Sequence, residues 1–191
     1  MKQFTPRINF IDILRKNEPD ALAWVTGKKA LAENRTAQSL PSANSFREEQ
    51  TSSANKESLQ LSGLVKFFST PYGGVLIEAE IFGLPNAETP NSSDFYAMHI
   101  HQFGDCSDDF SKSGEHFNPT GEPHPYHAGD LLPLLGNQGY AWSVFYDKRF
   151  RLKDIIGRSV IIHAGKDDFT TQPSGNAGKK IGCGIIRPLP H

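Results

Sequence analysis

"YAMHIHQFGDC", residues 96–106, decides how this chain is read. His99 and His101 stand two positions apart, so on an extended strand their side chains leave on one side. Met98 and Ile100 leave on the other. With those two in a core, the imidazoles face outward, where a covering loop can enclose a metal ion. Imidazole is the commonest biological metal ligand and suits copper and zinc. A lone H-x-H pair is equally an ordinary surface feature, so the rest of the chain has to choose between the readings.

Strand signals surround this stretch. "LQLSGLVKFFST" (59–70) and "GVLIEAEIFGL" (74–84) are β-rich runs separated by the turn "PYGG", and Val75, Ile77, Ala79 and Ile81 fall on one face. "DFYAMHIHQF", "GYAWSVFYD", "GRSVIIHAG" and "KKIGCGIIR" follow, punctuated by Gly, Pro, Asn and Asp. Short strands without intervening helices predict an all-β antiparallel sandwich or barrel. Upstream, "ALAWVTG" (21–27) suits a strand, with Leu22, Trp24 and the turn residue Gly27. "INFIDILRKN" (8–17) has Phe10, Ile11, Ile13 and Leu14 at partly helical spacing before Pro19, which predicts a short helix in an N-terminal extension over 1–20. Residues 28–58 are rich in Ser, Asn, Glu, Lys and Ala, and their only large apolar residues are Leu31, Leu40 and Phe46. Such a segment buries too little to offset the roughly 1–2 kcal/mol of backbone entropy per ordered residue, so it reads as a flexible insertion. A sparse helix over 28–36 is the alternative.

With 20 basic and 21 acidic residues, the 191-residue chain has no net field to attract nucleic acid or an anionic membrane. No run approaches the ~18 apolar residues of a membrane span. The first residues lack an unbroken apolar stretch and a small-residue cleavage site, so they do not read as an ordinary secretory signal. Two cysteines, Cys106 and Cys183, read as buried thiols in a reducing compartment.

Six of the seven histidines belong with the opening stretch: His99, His101, His116, His124, His127 and His163. "GEHFNPTGEPHPYHAGD" (114–130) carries three of them and Asp130 in a run whose glycines and prolines rule out a helix. His163 ends the apolar run "SVIIH", as a buried strand emerging at a site would. His124 and His127 are separated only by Pro125 and Tyr126, so this loop offers an ion either two imidazoles or one.

"MHIHQFGDC", "GEHFNPTG", "HAGD", "GRSVIIHAGKDD" and "SGNAGKKIGCGII" resemble, in order, the signature segments of the copper/zinc superoxide dismutase family. The resemblance covers about residues 59–186, with 21–27 as a first strand. It implies a Greek-key β-sandwich or flattened barrel of about eight antiparallel strands over 21–190, with 28–58 inserted in the first hairpin. It implies copper held by His99, His101, His116 and His163, and zinc held by His116, His124, His127 and Asp130. His116 is then shared between the metals, and Asp167 is the carboxylate linking a copper histidine to a zinc histidine. Cys106 and Cys183 match the family's disulfide, which would close a loop of nearly eighty residues. The implied reaction converts superoxide to dioxygen and hydrogen peroxide, with His116 returning a proton to the product. Monomer and homodimer both remain open. So does the compartment, since bacterial relatives are often exported.

The pattern departs from the family in four places. The family commonly has more residues between the last two zinc histidines. Its active-site arginine appears as Lys180, with Lys179 the candidate if the register slips by one; lysine is a point charge without arginine's planar fork. Residues 168–176 are short where many members carry a charged guiding loop. The 28–58 insertion has no counterpart. Sequons at Asn34 and Asn91 read as chance matches in polar segments.

Overall fold

In this computed structural model the described residues are 6–16, 18–28, 60–85 and 94–190. Most of the 28–58 insertion and both sequons lie outside them. The strands are β1 (Ala21–Gly27), β2 (Ser62–Ser69), β3 (Val75–Phe82), β4 (Phe95–Tyr96), β5 (Met98–His101), β6 (Leu134–Leu135), β7 (Tyr140–Asp147), β8 (Ser159–His163) and β9 (Lys180–Pro188). Seven form one curled antiparallel sheet in the order β5-β8-β9-β1-β2-β3-β7, and β4 pairs with β6. From β3 the chain crosses to the far edge for β5, returns beside β3 as β7, and crosses again to β8 beside β5. These crossings give the Greek-key connection. Because β4 runs into β5 and β6 into β7, the small ladder ties together the chain entering the two edge strands.

Alternation places the core. Ala21, Ala23 and Val25 of β1, Val65 and Phe67 of β2, and Val75, Ile77, Ala79 and Ile81 of β3 all point inward and are fully buried. Met98 and Ile100 join the same cluster, with Val160 and Ile162 from β8. His99, His101 and His163 therefore occupy the opposite face, where loops cover them. Helix α1 (Pro6–Lys16) packs Phe10, Ile13 and Leu14 on Phe68, Leu76, Val144 and Tyr146 of the outer face, leaving Ile11 exposed. A single helical turn, α2 (Leu152–Ile155), follows β7 and buries Ile155 in the main core. Neither α2 nor the two-residue ladder is visible in sequence periodicity, because each is shorter than the window that a period requires.

Cys106 and Cys183 are disulfide-bonded across 77 positions, with Cα atoms 5.8 Å apart. The bond fastens the start of the loop after β5 to β9, against Phe110 and Ile161. On the chain-entropy account, closing this loop stabilises the fold by about 4.5 kcal/mol. Cys106→Ala is expected to lower the unfolding free energy by that order in denaturant titrations; a loss below about 1 kcal/mol would show that the loop is restrained by other contacts.

Candidate metal centre

Backbone pairing brings the histidines together. Edge strand β5 is covered by loop backbone: Phe117 N–H donates to Ile100 O (2.8 Å), Ile100 N–H to Gly129 O (2.8 Å), and Gly129 N–H to Phe117 O (2.8 Å). His99 lies opposite Asp130 and His101 opposite His116. Phe117 turns into the core, so its neighbour His116 turns toward the histidine face. Glycine is required at 129, where a Cβ would sit 2.3 Å from Ile100 O.

Two groups result, each with ligand-capable atoms within 4.8 Å of one another: His99, His101, His116 and His163; and His116, His124, His127 and Asp130. All seven residues are buried. The rings of His99 and His116 are 4.0 Å apart between centroids, and those of His101 and His163 5.6 Å. Both His124 and His127 enter the second group, so the short "HPYH" spacing reaches one point with two imidazoles.

Hydrogen bonds to acceptor-only partners fix which ring nitrogen is bare. Asp167 Oδ2 accepts from His99 Nε2 (3.0 Å), and Asp167 Oδ1 from His124 Nε2 (2.8 Å). The carbonyl of Gly114 accepts from His101 Nδ1 (2.8 Å), and that of Gly178 from His163 Nδ1 (3.2 Å). Each proton therefore lies on the bonded nitrogen, and the lone pair is left on the other. Those other atoms, His99 Nδ1, His101 Nε2, His163 Nε2 and His124 Nδ1, are buried without a hydrogen-bond partner, as is His116 Nε2. Five orphaned imidazole nitrogens would be a heavy desolvation cost unless they coordinate. His124 Nδ1 is 3.0 Å from Asp130 Oδ2 without hydrogen-bond geometry, as two ligands of one ion would be. His116 Nδ1 is 2.7 Å from Asp130 Oδ1 and 3.4 Å from His127 Nδ1, so its ring faces both groups. Four imidazoles suit copper, and three imidazoles with a carboxylate suit tetrahedral zinc; the donor sets fit both metals.

Burial lowers the pKa of His99 to about 4 and of His163 to about 3, and lowers that of His101 further still. Asp167 feels burial as an upward push, but bonds from His99, Phe169 N–H and His124 outweigh it and hold the carboxyl at about 2. For Asp130 burial likewise pushes up, and the bond from His116 with nearby imidazole charge brings the pKa below its ordinary value. His99, His101 and His163 are thus held neutral and both carboxylates ionised, the forms that bind metals.

Lys180 opens β9 opposite His163, half-buried, while Lys179 is exposed. Its ammonium donates to Ser113 Oγ (2.9 Å), Gly114 O (3.0 Å) and Phe110 O (3.4 Å). Burial lowers its pKa, and its charge is among those that lower His101 and His163. Phe110 and Ser113 belong to a 3-10 turn, Asp108–Ser113, which Gly114 follows and in which Asp109 (φ 56°) and Phe110 (φ 70°) are left-handed. Such backbone persists only where its surroundings hold it, here the lysine and the packing of Phe110 on Cys183. Sequence reasoning missed Gly114 O and Gly178 O, because main-chain acceptors carry no residue-type signal, and Ser113, whose hydroxyl meets Lys180 only across 67 positions. It also missed Gln172, which exchanges hydrogen bonds with the His124 backbone (2.9 and 2.7 Å).

Two outcomes test this geometry. His99 and His163 titrate near 4 and 3 when folded but at 6.5 when unfolded, so the unfolded chain binds more protons in between. Stability of the metal-free protein is expected to fall as pH drops from about 6.5 toward 4; a denaturation midpoint that stays flat there contradicts the buried neutral imidazoles. At Gly175 (φ +65°) a Cβ would lie 1.9 Å from Asp167 Oδ1 and 2.6 Å from His124 Nε2. Gly175→Ala is expected to weaken zinc and copper binding together, by roughly tenfold or more in chelator competition; unchanged affinities would mean the Asp167 bridge is dispensable.

The family model described as Copper/zinc superoxide dismutase (SODC) matches residues 61–186. Extracellular superoxide dismutase (Cu-Zn) of Rattus norvegicus is 34% identical over 137 residues, covering 66% of this chain and 55% of that protein. The copper chaperone for superoxide dismutase of the same organism is 34% identical over 137 residues, covering 65% and 47%. Superoxide dismutase (Cu-Zn) 3 of Arabidopsis thaliana is 35% identical over 140 residues, covering 65% and 81%. The chain thus spans about half the length of the mammalian relatives it matches. A crystal structure of a double mutant of a SOD-like protein from Bacillus subtilis superposes with a TM-score of 0.56 at 33% identity, over 64% of this chain and 86% of that one. The chain belongs to the copper/zinc superoxide dismutase family, and the cofactors of this chain are that family's, copper and zinc.

Proposed function

We propose that the protein is a superoxide dismutase, an oxidoreductase that converts two superoxide ions and two protons to dioxygen and hydrogen peroxide. The observation that carries this reading is the set of four buried, unpartnered nitrogens, His99 Nδ1, His101 Nε2, His116 Nε2 and His163 Nε2, one from each residue of a complete four-imidazole group. In this reading those residues hold copper, and His116, His124, His127 and Asp130 hold zinc. Residues 21–190 are the catalytic sandwich, 1–20 an N-terminal extension and 28–58 an insertion between β1 and β2. When bound, copper would supply one-electron exchange with superoxide in both directions, and zinc would supply a fixed positive charge beside His116.

The residues divide the remaining work. His116 Nε2 has no protein partner, so whenever its lone pair is not engaged as a ligand it would hold a proton and could deliver it to the reduced product while Nδ1 stays within the second group. Asp167 holds one ring from each group in a single tautomer, so the distance between groups is set by one carboxylate. Lys180 supplies positive charge on the copper side and draws the anion. The same lysine braces Gly114, whose carbonyl orients His101.

A second reading, a copper- and zinc-binding protein with little dismutation, is favoured by one observation: the Lys180 ammonium is directed at three protein oxygens rather than left free for substrate. Metal content and superoxide consumption, measured together on copper- and zinc-loaded protein, separate the two. Stoichiometric metals with consumption far above that of His163→Ala support the dismutase. Stoichiometric metals with none support the second reading. Lys180→Ala is expected to lower kcat/KM roughly tenfold and flatten its dependence on ionic strength, within the range for steered association. An unchanged salt profile would remove Lys180 from the capture step.

A further inference from the structure

We propose that Arg149 is a positioning residue for the zinc group, fastening the turn 127–130 to the end of β7; the proposal rests on the zinc assignment above. No segment of the resemblance includes this arginine, and its side chain bonds none of the seven histidines or carboxylates of the two groups. Its guanidinium engages their backbone instead. Nη1 donates to the carbonyl of His127 (3.1 Å) and Nη2 to the carbonyl of Asp130. The opposite edge lies on Asp147: Nε donates to Oδ1 (3.1 Å) and Oδ2 (3.2 Å), and Nη2 to Oδ2 (2.6 Å).

The geometry constrains the ligands from behind. Asp147 is buried at the last position of β7, and its Oδ1 also accepts the backbone N–H of Arg149 (2.8 Å). The carboxylate therefore fixes both the course of the chain and the plane of the guanidinium. That plane meets two carbonyls three residues apart, and they belong to two of the four zinc residues. Within the turn, Asp130 N–H donates to His127 O (3.2 Å) and His127 N–H to Asp130 Oδ2 (3.1 Å). One planar cation thus ties a ligand-bearing turn to the sheet and leaves both ligand side chains directed at the ion. The turn is held before any metal arrives, so less conformational freedom is lost on binding. A lysine can meet one carbonyl or the carboxylate but lacks the fork that meets all three.

Zinc affinity, measured by chelator competition on the full, disulfide-bonded, copper-free chain, tests this. Arg149→Met is expected to weaken zinc by about 10–100-fold, the usual cost of losing an outer-sphere partner, and Arg149→Lys to restore only part of it. Asp147→Asn, which touches neither carbonyl, is expected to weaken zinc in the same direction, and the double variant to lose less than the sum of the two. Copper affinity at the other group is expected to stay near the parent value, whereas a merely structural role would lower zinc and copper affinity together. Zinc affinity within twofold of the parent in both single variants overturns the proposal. So does an equal loss of zinc and copper, since that means general loosening. Dismutation enters none of these readouts, so a protein that binds zinc tightly yet consumes no superoxide refutes the proposed function and leaves Arg149 in place.

Discussion

Alternation along β5 is the constraint on which the rest depends. Met98 and Ile100 are fully buried in the main core, which commits His99 and His101 to the other face. A four-residue edge strand cannot shift by one position without driving two imidazoles into the apolar core and two apolar side chains onto the metal face. The register with β8 then carries His163 to the same side, and the loop that pairs with the open edge of β5 brings His116 and Asp130. Covering the edge also removes the exposed strand that would otherwise invite association.

Upon that frame, the site is organised by the nitrogens that do not bind metal. Asp167, Gly114 O and Gly178 O each take the proton-bearing side of a ring, leaving a lone pair aimed inward. Burial keeps His99 and His163 neutral well below ordinary histidine pKa values, so protons compete weakly with metal for those lone pairs. The arrangement is costly without an ion, because buried polar atoms stay unpaired, and stabilising with one. Metal binding and folding free energy are therefore coupled through the same residues.

The charges that do not bind metal act as struts. Lys180 braces the left-handed turn before His116, and Arg149 braces the turn carrying His127 and Asp130. The two differ in their chemistry. Lys180 is a point charge shared among three neutral oxygens, so no counter-charge in those contacts cancels its field. Arg149 is a planar fork matched to a carboxylate on one edge and carbonyls on the other. Relatives of this chain include proteins named as dismutases and as copper chaperones, so fold and family do not choose between catalysis and metal handling.

The sequence by itself determined the strand alternation, the all-β class and the common face of His99 and His101, while the grouping of the other histidines with Asp130 and Asp167 came only from the family resemblance. The first three are properties of residue type and period, and both are local. Only the tertiary structure decided that "HPYH" brings two imidazoles to one group, that Asp167 spans from His99 to His124, and that Lys180 rather than Lys179 faces the site. Arg149 was not legible at all: a D-x-R step after a strand looks like any charged turn, and its partners are main-chain carbonyls about twenty residues upstream. Long-range contacts made through backbone atoms leave no trace in residue identity, and they are set when loops close over the sheet. The sequence therefore holds the ligands, and the fold alone holds their orientation.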